Sequence, residues 1–492
     1  MSLLRQSAWA VAAAVTLTGA RFALAAILAR RLSQVGFGQF AYAQWLVDLA
    51  FLLSSFGVTA AATRYVAEYR NRPDSLSAVM KRWWPLVFGL PILAGGVVLV
   101  GAFVSELHLN SMSMAWLSLW VLASSIWAMQ TAALSGLQRF DLVFFANAIA
   151  AITLLTGSAF VPVTDGDMSW VFALMAGASA AASLVGISAT RGLAGAHPTP
   201  LDTHTWRGIR NYALNMWATA LLASLVWSRG EMPIVRAALG DAGVAQYAAA
   251  LTLFGGAMQG AMLAVSAVAP QLTRLWGEGA QDQALSLTRR IMDAQLLLSG
   301  FVALALIGFS SFLMTMAFGP AYVDGSASLV ILSLALLATA TSCHNHLLQI
   351  ATDARFNRNT TLLALVLLLA MAYLFVGWFG LIGAALARAG TILSLSAIAL
   401  FFVHRRWGST SFSKANLAWV LAVISLGAGL TFPEVALHAS ARIGFAILGS
   451  GWLAFIVRGA DGTAVSAAIV KGLMRSFTRA NPISVSGESK GG

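Results

Sequence analysis

The chain has 492 residues and is 59% hydrophobic and 10% charged, with a net charge of +12 and a mean hydropathy of +0.79. Ordinary soluble domains carry roughly 25% charged residues, so this composition excludes a soluble globular protein. Apolar stretches of about 20 residues follow one another along most of the chain, which predicts membrane-spanning helices.

The apolar stretches predict an all-α polytopic membrane protein with about fourteen transmembrane helices. The predicted spans are 8–30, 40–62, 84–105, 114–137, 142–161, 170–190, 211–235, 243–270, 292–316, 326–350, 360–378, 380–403, 415–432 and 440–458. The seventh and eighth spans, and likewise the eleventh and twelfth, are separated by the weakest breaks in hydropathy.

The segment 191–210, RGLAGAHPTPLDTHTWRGIR, has two prolines and mixed charges, a composition typical of a linker. We predict that this cytoplasmic linker joins an N-terminal six-helix lobe over 1–190 to a C-terminal six-helix lobe over 211–403. Two further transmembrane helices are predicted within 404–458 and a cytoplasmic tail over 459–492.

The distribution of basic residues predicts the orientation. About seventeen Lys and Arg lie in the even-numbered loops and about five in the odd-numbered loops. By the positive-inside rule, both termini are cytoplasmic and the protein is a multi-pass bacterial inner-membrane protein. The positive charge is then a topology signal that favours anionic lipid headgroups, and it does not indicate nucleic-acid binding. The single Cys343 allows no internal disulfide.

A weak internal repeat relates the two lobes. The segment QVGFGQFAYA from Gln34 aligns with DAGVAQYAAA from Asp241, and Phe40 then falls opposite Tyr247. The same offset of about 207 residues relates two basic pairs, each placed just before the third span of its lobe. These pairs are Lys81–Arg82 and Arg289–Arg290. A parallel duplication of this kind predicts two pseudo-symmetric lobes around a central cavity, which open alternately to the two sides of the membrane.

Two ionisable residues of the first lobe lie inside apolar spans. Arg21 lies in the first span and Asp48 in the second, each about 13 Å from the span end. An ionisable group at that depth costs at least ~2.5 kcal/mol unless it is paired or faces water. Two interpretations remain open: Arg21 faces a polar cavity and binds an anionic substrate group, or Arg21 and Asp48 form a structural ion pair.

The second lobe has its own candidates. Arg229 falls within one residue of the position that the repeat pairs with Arg21, so two arginines would face one cavity at matching depth. The alternative places Arg229 at the outer mouth of the seventh span. Glu231 is predicted to set the cavity charge or to pair with Arg229 or Arg236, and Pro233 to kink the helix. The planar guanidinium group suits bidentate phosphate binding.

Arg388, about eight residues into the twelfth span, is a further cavity candidate, with snorkelling to the membrane surface as the alternative. His344 and His346 are alternate residues of a helix and point apart, so no metal site is predicted. Walker, dinucleotide-binding and nucleophile motifs are absent from the sequence, so we expect neither a cofactor nor an enzymatic activity.

Four stretches of residues 30–350 resemble the polysaccharide biosynthesis flippases, the O-antigen and exopolysaccharide branch of the multidrug/oligosaccharidyl-lipid/polysaccharide exporter superfamily. They are ARRLSQVGFGQFAYAQWLVDLAFLLSSFGVTAAATRYVAEY, LSGLQRFD, WSRGEMPIVRAALGDAGVAQYAAALTL and MAFGPAYVDGSASLVILSLALLATA. The resemblance implies translocation of undecaprenyl-diphosphate-linked oligosaccharide to the periplasmic leaflet, for O-antigen, capsule or exopolysaccharide synthesis. Implied partners are membrane lipids, a glycan polymerase and glycosyltransferases. Related lipid II flippases use cavity arginines, a role that Arg21 and Arg229 suit chemically.

Two other functions fit parts of the pattern. A cation-coupled multidrug exporter would depend on Asp48 or Glu231, although arginines at least as numerous as these acids favour an anionic substrate. A membrane polymerase or ligase would need a long periplasmic loop that carries catalytic residues, whereas the outer loops here have about 5–12 residues.

Overall fold

The structure, a computed structural model, describes residues 3–104, 107, 109–161, 167–191, 202–227, 229–266, 268–352, 355–408, 419–421 and 423. The helices below all belong to one compact unit, Met1–Thr410. The two predicted C-terminal spans and the predicted tail lie outside the described residues, apart from the few near residue 420.

The first half of the unit contains seven helices that follow the six predicted spans, because the second span is bent. They are α1 (Leu3–Arg31), α2 (Gln34–Ser55), α3 (Val58–Tyr69), α4 (Pro73–Val104), α5 (Ser111–Gly136), α6 (Phe140–Ser158) and α7 (Ser169–Thr190). The bend between α2 and α3 lies at Phe56 and Gly57, whose φ angles of 44° and 69° interrupt the helix.

The described residues of the second half form eight α-helices. They are α8 (Thr203–Trp227), α9 (Met232–Ser266), α10 (Ala269–Gly277), α11 (Gln281–Gly308), α12 (Ser310–Phe318), α13 (Ser326–Leu334), α14 (Ser342–Ala351) and α15 (Arg355–Trp407). Short 3₁₀ segments, Pro320–Gly325 and Ala335–Thr341, connect α12 to α13 and α13 to α14.

Helix α15 is the predicted eleventh and twelfth spans joined by a tight turn. A straight helix of its 53 residues would be about 80 Å long, far more than a bilayer core. Gly380 interrupts it with φ 57° and ψ −128°, and a Cβ atom on Gly383 would lie 1.9 Å from the carbonyl oxygen of Phe375. The chain therefore folds back at Gly380, the residue at which the sequence predicted the twelfth span to begin.

The described residues contain eight helices that are long and apolar enough to cross a membrane, or nine with the bent pair α2–α3. Helices α8 and α9, of 25 and 35 residues, also have the length to cross, and α15 supplies two crossings once it is divided at Gly380. This part of the chain thus provides six crossings in each half, in the order predicted from hydropathy.

The boundary between α8 and α9 differs from the prediction. The seventh span was predicted over 211–235, whereas α8 begins at Thr203 and ends at Trp227. Pro233 was predicted to kink that span and instead lies in the first turn of α9, where its missing N–H costs no helical hydrogen bond. Gly240, with φ 65°, then interrupts α9 just before the segment that aligns with the start of α2.

The two halves meet closely where α2 lies against α9. A Cβ atom on Gly38 would lie 1.8 Å from the carbonyl oxygen of Asp241, so only glycine fits this approach. The Asp241 carboxylate pairs with Arg236 at 2.7 Å and accepts a hydrogen bond from Gln39 at 3.4 Å. The Arg236 guanidinium also lies 4.5 Å from the ring centroid of Tyr42 on α2. Backbone contact and a polar cluster thus join the halves.

Two neighbouring arginines at the end of α1 bind the carboxyl ends of helices from both halves. Arg31 donates to the carbonyl oxygen of Ala159 at 2.8 Å, at the end of α6. Arg30 donates to the carbonyl oxygens of Ala317, at 3.2 Å, and Met316, in the last turn of α12. Carbonyl groups of a last helical turn lack partners within the helix and favour a cation, which explains why these two charges lie between apolar spans.

Helix α8 packs against the bend between α2 and α3. The Trp217 indole donates to the carbonyl oxygen of Leu52 at 2.8 Å, and its ring lies 5.4 Å from that of Phe56. A Cβ atom on Gly57 would lie 1.9 Å from the carbonyl oxygen of Ala213. The bend and α8 therefore form a second close contact between the halves.

Candidate functional site

A cavity of about 830 Å³ opens between α2 and the second half of the chain. Its walls come from α2, the end of α8 and the turn after it, helices α9, α10, α14 and α15, and the 3₁₀ segment Ala335–Thr341. Polar residues of this lining are Gln44, Asp48, Arg229, Gln259, Thr339, Ser342, Asn345, His346, Gln349, Asn357, Thr360, Thr361, Arg388 and Ser396, and its aromatic residues are Trp45, Trp227 and Phe254. A concave, largely apolar site with a few convergent polar groups is typical of ligand-binding cavities.

Asp48 supplies the acidic group that faces this cavity. It lies on α2, is exposed, and belongs to the cavity lining. Its carboxylate lies within electrostatic range of both Arg21 and Arg229. The ion pairs within 4.0 Å that join described residues do not include Asp48. The structure thus leaves this carboxylate open to the cavity.

Arg21 lies on α1 and is exposed. It is in electrostatic range of Asp48 but forms no ion pair with it within 4.0 Å among the described residues, and it is not part of the lining of this cavity. The structure therefore brings Arg21 near the acidic group without joining the two directly. A role for Arg21 in substrate binding stays a prediction.

Arg229 lies in the turn between α8 and α9, beyond the end of the helix in which the sequence placed it. Its backbone has φ 67°, a left-handed conformation that is costly for a residue with a side chain. Its Nη2 atom lies 3.4 Å from the Thr252 hydroxyl, to which it donates, and the side chain lines the cavity. Strained backbone of this kind is often found at functional sites.

Glu231 and Arg388 form a buried ion pair behind the cavity wall. The Arg388 Nε atom donates to Glu231 Oε1 at 2.7 Å, and the two residues are 0% and 3% exposed. The sequence predicted Arg229 or Arg236 as the partner of Glu231, and this was wrong because Arg236 pairs with Asp241 instead. The snorkelling alternative for Arg388 is also wrong, since its guanidinium is held in the protein interior.

Tyr247 completes this network, and the sequence interpretation missed it. Its hydroxyl donates to Glu231 Oε1 at 2.6 Å and lies 3.3 Å from the carbonyl oxygen of Ala384, while Arg388 Nη1 donates to the carbonyl oxygen of Val226 at 3.2 Å. The repeat aligns Tyr247 with Phe40, which has no hydroxyl. A polar group present in only one of the two copies was the feature that could have marked Tyr247 as a member of a buried network.

The buried pair is not fully satisfied. Glu231 Oε2 and Arg388 Nη2 have no hydrogen-bond partner among the described residues, although both atoms are buried. Nearly all buried polar atoms in proteins have a partner, so such exceptions point to a position where another group binds. Arg388 also lines the cavity, although its unpaired Nη2 atom is itself buried.

His344 and His346, for which the sequence predicted no metal site, lie in different environments. His344 is 1% exposed, whereas His346 lies in the cavity lining with Nε2 3.3 Å from both the Thr273 hydroxyl and the carbonyl oxygen of Ala269. The described part of the chain contains no group of three or more His, Cys, Asp or Glu residues placed to hold a metal ion.

The long apolar helices of both halves define a polytopic membrane protein, with a charged cavity between α2 and the second half. The fold is similar to that of lipid II flippase MurJ in an inward closed conformation, with TM-score 0.62, 13% identity, and 96% of this chain and 100% of MurJ covered. It is also similar to an inward-facing multidrug resistance MATE family transporter of the MOP superfamily, with TM-score 0.62, 12% identity, and 85% and 99% covered.

A third solved structure with this fold is a MOP superfamily transporter from Pyrococcus furiosus, described as having a binding pocket of reverse polarity that suggests a different function. Its TM-score is 0.53, with 14% identity over 87% of this chain and 96% of that one. No curated protein sequence matches the chain. The chain belongs to the polysaccharide biosynthesis protein family, which matches residues 3–276. The family resemblance and the all-α fold class predicted from the sequence are confirmed.

Proposed function

We propose that this protein is a flippase that moves undecaprenyl-diphosphate-linked oligosaccharide from the cytoplasmic to the periplasmic leaflet, for O-antigen, capsule or exopolysaccharide synthesis. The observation that carries the proposal is the pair of arginines, Arg229 and Arg388, on the wall of the central cavity. Membership in the polysaccharide biosynthesis family and the fold shared with a lipid II flippase support it.

The chemistry of the cavity suits such a substrate. A guanidinium group binds phosphate oxygens bidentately and keeps its charge when partly desolvated. Among the described residues Arg229 makes one long hydrogen bond, to Thr252, so its other donors are available to a diphosphate, while Arg388, paired with Glu231, adds a fixed positive charge to the wall. Trp45 and Trp227 on the same lining offer flat surfaces to sugar rings.

Transport requires the two halves to move, and the protein makes and breaks no covalent bond. The cavity has walls from both halves, so a relative rotation would expose it to one side of the membrane and then the other. The lipid tail would stay in the bilayer while the diphosphate and glycan cross. The implied glycosyltransferases would supply the substrate and the implied polymerase would consume it.

Leaflet-specific labelling of lipid-linked oligosaccharide tests the proposal. Cells depleted of the protein are complemented with wild type, with Arg229→Gln, or with Arg405→Gln as a matched control, since Arg405 is an exposed cation outside the cavity. We expect glycan to accumulate on the cytoplasmic leaflet with Arg229→Gln at normal protein level, and to cross with the control. Normal crossing in depleted cells without a redundant flippase would refute the proposal.

One observation favours a second function, cation-coupled multidrug export. Asp48 is exposed to the cavity and has no ion-pair partner among the described residues, as a site for a coupling cation requires. In that case Asp48→Asn would abolish drug efflux from inverted vesicles while Arg229→Gln left it intact. A flippase would give the reverse pattern: Arg229→Gln would block glycan crossing and Asp48→Asn would leave it intact.

We also propose the inner membrane of a bacterium as the location, with both termini in the cytoplasm, from the bias of basic residues among loops. Labelling of single cysteines in a Cys343→Ser background with an impermeant maleimide tests this. We expect a cysteine at Asn110, between α4 and α5, to react from outside intact cells, and one at Arg70, between α3 and α4, only after lysis. The reverse result would invert the orientation.

A further inference from the structure

A second cavity, of about 1150 Å³, lies between the two halves away from the central one. It is walled by the α2–α3 bend, α3, the first part of α4 and the first part of α8, and none of its lining residues belongs to the central cavity. We infer that this cavity binds an anionic phospholipid of the surrounding bilayer, with its phosphate among four cations and its acyl chains along the apolar wall.

The charge of the cavity is the first argument. Its lining contains four exposed cations, and no Asp or Glu is among the described residues that line it; the cations are Lys81, Arg82, Arg207 and Arg210. These residues lie within about 14 Å of the first residues of α4 and α8, near the helix ends that meet lipid phosphates. Four cations at one level, in a lining whose described residues include no acidic side chain, attract an anionic headgroup.

The arrangement of Arg82 and Trp83 is the second argument. The Arg82 guanidinium lies 4.8 Å from the ring centroid of Trp206, which fixes its plane and leaves its edge donors free to bind phosphate oxygens. Trp83 is 5% exposed and lines the same cavity, yet its indole N–H has no hydrogen-bond partner among the described residues. Buried indole groups normally have a partner, so an acceptor is missing from this wall.

The rest of the lining fits acyl chains. Its other members are mainly apolar, and they include Phe56, Val58, Ala61, Val79, Leu86, Ala213 and Leu214. Leu214 is 43% exposed and Leu86 37%, so the wall is large and uncovered by protein. A basic rim above an apolar wall distinguishes a phospholipid from a free phosphate, which has no use for the apolar part.

A lipid bound in this cavity would influence transport, because it would contact both halves of the protein. Helices α3 and α4 belong to the first half and α8 to the second, so one bound lipid contacts both moving bodies. A lipid that binds only this arrangement of the halves shifts the population toward it by its differential affinity. The inference is independent of the transported substrate, because it concerns a different cavity.

Native mass spectrometry of the purified full-length protein, titrated with phosphatidylglycerol or phosphatidylcholine, tests this inference. The cavity variant combines Lys81→Gln, Arg82→Gln, Arg207→Gln and Arg210→Gln. The matched control removes the same charge from exposed positions outside the cavity, with Arg289→Gln, Arg290→Gln, Arg405→Gln and Arg406→Gln. We expect phosphatidylglycerol affinity to fall at least about tenfold in the cavity variant, to stay near wild type in the control, and phosphatidylcholine to bind weakly throughout.

A second cavity variant, which keeps all the charges, controls for misfolding of the fourfold cavity variant. Leu214→Trp fills the cavity from an exposed position without altering charge, and it should also weaken phosphatidylglycerol binding. Equal losses in the cavity and control variants would overturn the inference in favour of general surface attraction. Preference for undecaprenyl diphosphate over phosphatidylglycerol would overturn it in favour of a substrate entrance, and displacement of the lipid by inorganic pyrophosphate alone would reduce the site to a phosphate site.

Discussion

The two halves of this protein carry ionisable residues inside the membrane in opposite ways. In the first half, Asp48 is exposed to the central cavity and has no ion-pair partner among the described residues. In the second half, Glu231 and Arg388 are 0% and 3% exposed and joined at 2.7 Å. The same kinds of residue in aligned halves therefore have different roles.

Burial explains the difference. A buried ion pair replaces water with fixed partners, so it holds its surroundings in one arrangement. The Glu231–Arg388 pair connects α8, through Val226, to α9, through Tyr247, and to α15. A carboxylate open to a cavity keeps its hydration and remains available to ligands. We interpret the second half as the rigid wall of the cavity and Asp48 as the charged group that remains available to ligands.

Glu231→Gln should have the largest effect on stability, because it leaves the buried Arg388 charge uncompensated. We expect a loss of about 3–5 kcal/mol, measured as a large fall in the unfolding temperature of the purified protein in detergent. The double variant Glu231→Gln with Arg388→Gln removes both charges and should be clearly more stable than the single variant. Equal stabilities would contradict a coupled pair.

Gly38→Ala tests the contact between the halves. The new Cβ atom would lie 1.8 Å from the carbonyl oxygen of Asp241, which forces α2 away from α9 and should cost about 1–3 kcal/mol in thermal unfolding. Gly36→Ala is the matched control on the same helix, since its Cβ would meet Leu32 and Ser33 at an ordinary 3.5 Å. Indistinguishable unfolding temperatures would show that the close approach is not required.

Asp167, before α7, provides a carboxylate outside the membrane for comparison. It accepts hydrogen bonds from the Ser169 backbone at 2.9 Å, from Asn110 at 3.2 Å and from the Ser113 hydroxyl at 3.3 Å. Hydrogen bonds from Ser169, the largest cause, and from these neighbours hold the pKa of Asp167 below its usual value.

A lowered pKa stabilises the fold above the unfolded value of about 3.9, and that stability is lost as the pH falls through the lower folded value. Acidification from neutral pH to below about 4 should therefore destabilise wild type by about 1 kcal/mol more than Asp167→Asn. Parallel pH profiles of unfolding temperature for the two proteins would contradict this assignment.

Asp48→Asn should have the smallest effect on stability. Exposed side chains without specific partners change the free energy of unfolding by no more than about 0.5 kcal/mol when substituted. Unfolding temperature should thus stay near wild type, the reverse of the expectation for Glu231→Gln. A large loss of stability would mean that Asp48 is a structural residue like Glu231.

Hydropathy was sufficient to predict most of the fold. Apolar length placed the crossings of the described residues in order, and the weak break before Gly380 proved to be a true turn. The end of α8 was misplaced because SRGEMP interrupts the apolar run too briefly to be recognised as a turn. Only the backbone shows that Arg229 is left-handed and lies outside the helix.

The site was only partly predictable. Depth in a span identified Asp48 and Arg388 as candidates, because an ionisable group in lipid is costly wherever it occurs. The partner of Glu231 could not be found the same way, since Arg388 is 157 residues away and the nearer Arg229 and Arg236 were the local choices. Pairing at that distance depends on how α15 folds back, which local patterns do not contain.

The contact of Arg30 with α12 has a consequence for how this protein tolerates mutation. Its acceptors are main-chain carbonyl oxygens of Met316 and Ala317, and Gln34 likewise donates to the carbonyl oxygen of Ala321. Every amino acid supplies such an oxygen, so substitutions of Met316, Ala317 and Ala321 leave the acceptors in place. A deep mutational scan should show a one-sided interface, intolerant at the donors and permissive at the acceptors, with no co-varying pair to reveal it.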